Sequence, residues 1–296
     1  MTRHLHLLII DPQNDFCDLP ADYLPENPAT KGRHAPALPV PGAHQDMLRL
    51  AGLINRGRRG ITGVSVTLDS HHRYDIAHPT FWQDADGAAP VPFTQITGDD
   101  VRAGKYHPRD ASATPRVLAY LHALERSGRY RLMIWPVHCE IGSWGHNVHE
   151  DVRSAYNRWE DVSQGTVAKI AKGSNPWTEH YSAVMAEVPD DADPDTQLNR
   201  TLIARLAEAD VVYIAGEAGS HCVKATTEHI AAQFAARFGE ASLRRLALVT
   251  DCMSPVAGFC DQYQDFLEEM EERGVRLAQS GDVLRDLLDN ADHRED

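Results

Sequence analysis

Short apolar runs separated by stretches of helical period constrain this chain most. "HLHLLIID" (4–11), "GITGVSVTLD" (60–69), "RYRLMIWP" (129–136), "DVVYIAG" (210–216) and "LRRLALVTD" (243–251) are rich in branched residues and too short for buried helices. Between them, "QDMLRLAGLINRG" (45–57, ended by Gly57), "RVLAYLHALERSG" (116–128) and "LNRTLIARLAEA" (198–209) carry apolar residues at helical spacing. Strands separated by helices of this length form a parallel sheet with helices on both faces. The pattern predicts a three-layer α/β fold, and 296 residues are enough to bury its core. Residues 1–285 read as one domain, and the acidic end at 286–296 reads as a frayed, solvated tail.

Two inserts depart from this pattern. Residues 17–43, "CDLPADYLPENPATKGRHAPALPVPGA", are proline-rich and read as an ordered surface loop. Within 83–130, the stretch 83–108 lacks a clean period and suits a lid or an oligomer contact; a homo-oligomer is expected.

A net charge of −14 disfavours nucleic acid and anionic membranes as partners. No apolar run is long enough to span a bilayer, and the N-terminal run is too short for a signal peptide. Five cysteines without CxxC spacing suggest free thiols in a reducing, cytoplasmic setting.

Open parallel sheets bind ligands beyond the carboxyl ends of their strands. Here those ends offer Asp11, then "DSHH" (69–72), then "WPVHCE" (135–140), then the turn that carries Cys222. The first turn has no G-x-G-x-x-G, which disfavours a dinucleotide site. After Cys222, apolar positions at Val223, Thr227, Ile230, Phe234 and Phe238 predict a helix with Ser220 as its cap. A thiol in the first turn of a helix is biased towards thiolate. The same placement also suits a small buried residue in a strand–helix corner.

"IIDPQNDFC", "TLDSHH…AHPTFW", "WPVHC", "AKGSNPWTEHYSAV" and "GEAGSHCVKAT", in that order, resemble the isochorismatase-like cysteine hydrolases, most closely the nicotinamidase branch. The resemblance spans about Leu5 to Pro255 and implies a six-stranded parallel sheet flanked by helices. It implies a triad of Asp11, Lys172 and Cys222. Asp11 would move the thiol proton, Lys172 would hold carboxylate and sulfur together, and Cys222 would attack. The family's oxyanion hole maps to the backbone amides of Ala218 and Cys222, beside a non-proline cis bond at Glu217–Ala218. Many members carry Thr-Asp where this chain has Gly219-Ser220, and an apolar residue where it has Glu217.

Asp69, His71 and His138 offer one carboxylate and two imidazoles, a set that suits zinc, with iron or manganese as alternatives. In the family the equivalent metal meets the substrate's ring nitrogen. His78 lies where some members supply a further ligand, whereas His72 and His149 read as surface residues. Phe16, Trp135, Tyr181 and His221 match ring-contacting positions, although Phe16 and Trp135 also suit plain core packing. Asp15 reads as a structural hydrogen-bonding acid rather than a second base.

The resemblance therefore implies an amidohydrolase for a small carboxamide, with nicotinamide as the best single candidate. Another carboxamide or a ureido compound is the alternative. Isochorismate cleavage and a non-catalytic binding protein on the same fold are weaker ones.

Overall fold

The structure, a computed structural model, describes residues 2–295. In chain order the first half runs β1 (Leu5–Ile10), α1 (Ala43–Gly57), β2 (Gly63–Asp69), β3 (Trp82–Asp84), β4 (Thr94–Ile96), α2 (Gly98–Arg102), β5 (Tyr106–Pro108), α3 (Thr114–Ser127) and β6 (Leu132–Ile134). The second half continues α4 (Glu150–Ser163), β7 (Ala168–Lys172), α5 (Arg200–Ala207), β8 (Val211–Gly216), α6 (Lys224–Phe238), β9 (Leu246–Val249), α7 (Cys260–Glu272), β10 (Arg276–Ala278) and α8 (Ser280–Glu295).

Six strands form one parallel sheet in the order β10-β9-β8-β1-β2-β7. β1 and β8 lie in the middle and are buried along their whole length, as continuous apolar runs demand. Helix α1 buries Met47, Leu50, Ala51 and Ile54, the i, i+3, i+4, i+7 stripe read from its sequence. Among the described residues, no helix is long and apolar enough to cross a membrane.

The predicted strand at 129–136 forms only as Leu132–Ile134, and it lies outside this sheet. It pairs antiparallel with Thr94–Ile96. A short apolar run reports burial, not partner, and these residues pack into a second apolar cluster with Ile76, Phe81, Trp82, Val117 and Leu121. That cluster is built largely from the 83–130 insert. The sheet positions are completed instead by Ala168–Lys172 and Arg276–Ala278.

The tail expected to fray is helical through Glu295. Leu287 and Asn290 are 2% and 1% exposed, and the Asn290 amide donates to the Arg3 and Gly60 carbonyls. Gly60 is required there, because a Cβ on it would stand 1.8 Å from the Leu287 carbonyl oxygen. Residue 296 lies outside the described residues.

Candidate active site

Strand register assembles the site. Ile10 pairs with Gly216, so Asp11 emerges beside the turn that follows β8. Asp69 pairs with Lys172, so the ends of β2 and β7 present a carboxylate and an ammonium side by side. Gly216 has φ +119°, and a Cβ there would meet the Ile10 carbonyl oxygen at 2.0 Å. Only glycine allows the two central strands to approach so closely at the site.

Lys172 is 3% exposed, and its Nζ stands 2.9 Å from Asp11 Oδ2 and 2.9 Å from Asp69 Oδ1. It also donates to the His180 carbonyl at 3.0 Å and to Cys222 Sγ at 3.5 Å. Burial pulls this ammonium down, but Asp11, Asp69 and Cys222 together lift it well above the usual lysine range. The lysine is therefore a fixed cation.

Asp11 is fully buried, and its Oδ1 accepts from the Thr67 hydroxyl, whose oxygen in turn accepts the Asp11 N–H at 3.0 Å. Its Oδ2 has the lysine as an ion-pair neighbour but takes no aligned hydrogen bond among the described residues. Burial raises the Asp11 carboxyl above its ordinary value, against the pull of Lys172.

Cys222 is 5% exposed and sits in one wide π turn, Gly219–Val223, that leads into α6. Burial pushes the Cys222 thiol well above its usual range, with Lys172 only partly opposing it, and this works against the thiolate bias expected of a helix N-terminus. Ser220 does not cap α6. Its Oγ accepts from the Val256 N–H at 3.1 Å and lies 2.9 Å from His221 Nδ1. The Glu217–Ala218 bond is cis, as the resemblance implied.

In front of the sulfur lies a narrow, partly open cleft. Phe16, Trp135, Tyr181 and His221 all line it, together with Leu38, Asp69, His138, Ala218, Cys222 and Val256. The Trp135 indole donates to the Tyr181 hydroxyl at 3.0 Å, and its ring meets His221 edge-on at 5.1 Å. Leu38 brings the 17–43 insert into the wall. Glu179 lines the cleft too, with Oε2 buried and without a partner among the described residues. It lies seven residues after Lys172, inside a stretch the sequence reading had already singled out.

The imidazoles of His71, His78 and His138 are all buried, with one nitrogen of each within 4.8 Å of the others. Asp69 Oδ2 is 3.1 Å from His71 Nε2 and 3.3 Å from His138 Nε2, separations that ligands of one small cation take. His78 Nε2 faces His138 Nδ1 at 3.3 Å rather than Asp69. His71 Nδ1 is held at 3.0 Å by Asp75 Oδ2, the carboxylate–histidine pairing that orients metal ligands. Asp75 escaped the sequence reading, although it follows His71 by four residues. The donor set fits a divalent ion.

Among the remaining candidates, His72 is exposed, but His149 is fully buried, with Nε2 3.0 Å from His44 Nδ1. The surface expected for His149 is covered by the 17–43 insert, whose Tyr23 ring packs on both imidazoles. Asp15 accepts from the backbone N–H groups of Ala37 and Cys139 at 2.9 and 2.7 Å, a structural role.

No protein-family model and no curated protein matches the chain. Among solved structures, it is similar to an Acinetobacter baumanii nicotinamidase/pyrazinamidase, with 19% identity over 95% of this chain and 98% of that one, at a TM-score of 0.57. It is similar to the yeast nicotinamidase bound to the inhibitor nicotinaldehyde, with 18% identity over 93% and 99% of the two chains, at a TM-score of 0.58. An L. infantum protein in complex with nicotinate aligns with 19% identity over 95% of each chain, at a TM-score of 0.52. The chain thus has the α/β fold of the nicotinamidases, the fold implied by its isochorismatase-like motifs.

Proposed function

We propose that the protein is a cysteine-dependent amidohydrolase for a small carboxamide, with nicotinamide going to nicotinate and ammonia as the best candidate. One observation carries this: Cys222 Sγ, Lys172 Nζ and the Asp11 carboxylate meet in sequence at 3.5 and 2.9 Å, on a cleft walled by aromatic rings. Two of the structural neighbours hold nicotinaldehyde and nicotinate, and a flat pyridine ring suits the aromatic walls of this cleft as well.

The reaction starts with proton transfer from Sγ to Asp11. The sulfur forms a bond to the carbonyl carbon, and the carbonyl electron pair moves onto oxygen. The N–H groups of Ala218 and Cys222 serve as donors to that oxyanion. Asp11 returns its proton to the nitrogen as the C–N bond breaks, so ammonia departs and a thioester remains. Water then gives a proton to Asp11 and adds to the thioester, and the thiol is restored as the acid leaves. Lys172 stays charged throughout and keeps carboxylate and sulfur in register.

Asp69, His71 and His138 would hold a divalent ion, zinc first and iron or manganese as alternatives, with His78 beside them. When bound, such an ion supplies Lewis acidity and a fixed point for water and for a ring nitrogen. Five free thiols suit a reducing compartment, and we place the protein in the cytoplasm. Its expected assembly, a homo-oligomer, is read by light scattering.

A second reading is favoured by Glu179. A buried acceptor on the cleft wall would match a substrate with an extra N–H donor, such as a ureido compound. Ammonia release from nicotinamide and from a panel of carboxamides and ureides tests both readings. A covalent adduct at Cys222 with an electrophilic nicotinamide analogue is expected, and an adduct confined to another cysteine would overturn the mechanism.

A further inference from the structure

The turn that carries Ala218 and Cys222 rests on a buried acid that the chemistry above does not use. Glu217 is fully buried, and its Oε2 accepts from the Ser254 N–H at 3.2 Å. Its Oε1 finds no donor among the described residues. The nearby Asp46 carboxylate on α1, itself 2% exposed, adds its charge to burial in raising the Glu217 carboxyl.

Ser254 ties this pair to the site. Its hydroxyl donates to Asp46, and its carbonyl accepts from the Gly219 N–H at 2.7 Å. Two residues on, Val256 lines the cleft and donates its N–H to Ser220. On the other side, the Glu217 N–H bonds the Ile10 carbonyl at 2.8 Å, one residue before Asp11.

We propose that Glu217 is a positioning residue for this active site: its carboxyl accepts from Ser254, whose hydroxyl donates to Asp46, and so clamps the 216–222 turn to the 252–256 loop and to α1, fixing Ala218 and Cys222 relative to Asp11. The proposal rests on the reading of Cys222 as nucleophile.

Most groups around this acid oppose its ionisation. Asp46 and Arg49 approach from α1, Asp18 and Cys17 from the 17–43 insert, Cys252 from the loop after β9, and Tyr263 from α7. All but Arg49 gain only negative charge on ionising, and Arg49 is already paired with Asp46. Burial, then Asp46, hold the Glu217 carboxyl well above its ordinary range.

Glu217→Gln keeps an acceptor for the Ser254 N–H, whereas Glu217→Leu does not. E217Q is expected to stay within about threefold of wild-type kcat, while E217L loses about 10–100-fold in kcat with KM changed less than about twofold. E217L leaves the Ser254 N–H without its acceptor and should melt below wild type, so kcat is read well below its melting temperature, where positioning is separated from folding. On the alkaline side, wild-type kcat should fall more steeply than that of E217Q, which cannot ionise. A fully active E217L, an E217Q as slow as E217L, or identical alkaline limbs would overturn the proposal.

If E217L does not fold, the E217Q pH profile decides alone. Ammonia release that survives Cys222→Ala sinks the nucleophile, whereas an unimpaired E217L alongside an inactive C222A sinks only the role of Glu217. If wild type turns over no carboxamide, iodoacetamide reads the clamp directly. E217L should then change the Cys222 alkylation rate about fivefold or more against the exposed Cys260, and equal rates would overturn it.

Discussion

Lys172 Nζ stands 2.9 Å from Asp69 Oδ1, and the other oxygen of the same carboxylate faces His71 and His138. Asp69 thus joins the ammonium beside the thiol to the imidazole cluster. Replacing the lysine by an isosteric apolar chain strands Asp11 and Asp69 as two buried carboxylates without their cation. Lys172→Met is expected to lose at least about 10³-fold in kcat/KM, by analogy with the loss of one member of a catalytic triad. It should also cost about 3–5 kcal/mol in urea unfolding, the usual result of breaking a buried pair. Ammonia release and equilibrium denaturation check the two numbers separately.

The acid limb of the pH profile should belong to Asp11. The carboxylate must be ionised to accept the thiol proton, so activity falls as pH drops through its value. Burial has raised that value, which places the limb of kcat/KM above the ordinary carboxylate range. Asp11→Asn should remove about 10²–10⁴-fold of activity at every pH. A wild-type profile flat down to the ordinary range would contradict this assignment.

Alkylation should follow burial rather than helix position. Cys260 is exposed, whereas Cys222 is enclosed, with its thiol pushed up. Iodoacetamide should modify Cys260 first with full retention of activity, and then inactivate the protein as Cys222 reacts faster with rising pH. Peptide mapping against residual ammonia release reads both phases.

Metal content should depend on Asp75 as well as on the imidazoles. Its carboxylate fixes the ring of His71 at 3.0 Å, so Asp75→Ala should weaken metal affinity about 10–100-fold. His71→Ala and His138→Ala should abolish stoichiometric binding in elemental analysis, whereas His78→Ala should retain part of it. An Asp75→Ala protein with wild-type metal content would show that the contact is merely structural.

The C-terminal helix should carry measurable stability. Leu287→Ala is expected to cost about 2–5 kcal/mol, and Asn290→Ala about 1–3 kcal/mol by leaving the Arg3 and Gly60 carbonyls unbonded. Chemical denaturation of the two variants would detect either loss.

Much of the frame was legible in the sequence because β1 and β8 are continuous apolar runs, and such runs can satisfy themselves only in the middle of a sheet. β7 was not recognised as a strand. Its sequence, "AKIAK", is half exposed at the sheet edge, so it carries neither an apolar run nor a turn signal. The run 129–136 was misplaced because hydrophobicity tells that a segment is buried and not beside what. The triad residues were legible as strand-end chemistry, but the burial that raises the Cys222 thiol was not. A local helix dipole can be read from order along the chain, whereas burial and the neighbouring charges of Asp11 and Asp69 arise only on folding. Glu179 and Asp75 were missed for the same reason: a carboxylate among polar neighbours looks solvated until its shell is known.

His78 follows Ile76 and precedes Phe81, and His138 lies four residues beyond Ile134; all three apolar residues belong to the smaller apolar cluster. Asp11, Lys172 and Cys222 instead hang from the main sheet. The step from the imidazole cluster to the triad therefore crosses a seam between two bodies of hydrocarbon. A ligand gripped at both ends would weld that seam, so its binding should tighten the 83–130 insert against proteases at points far from any atom it touches.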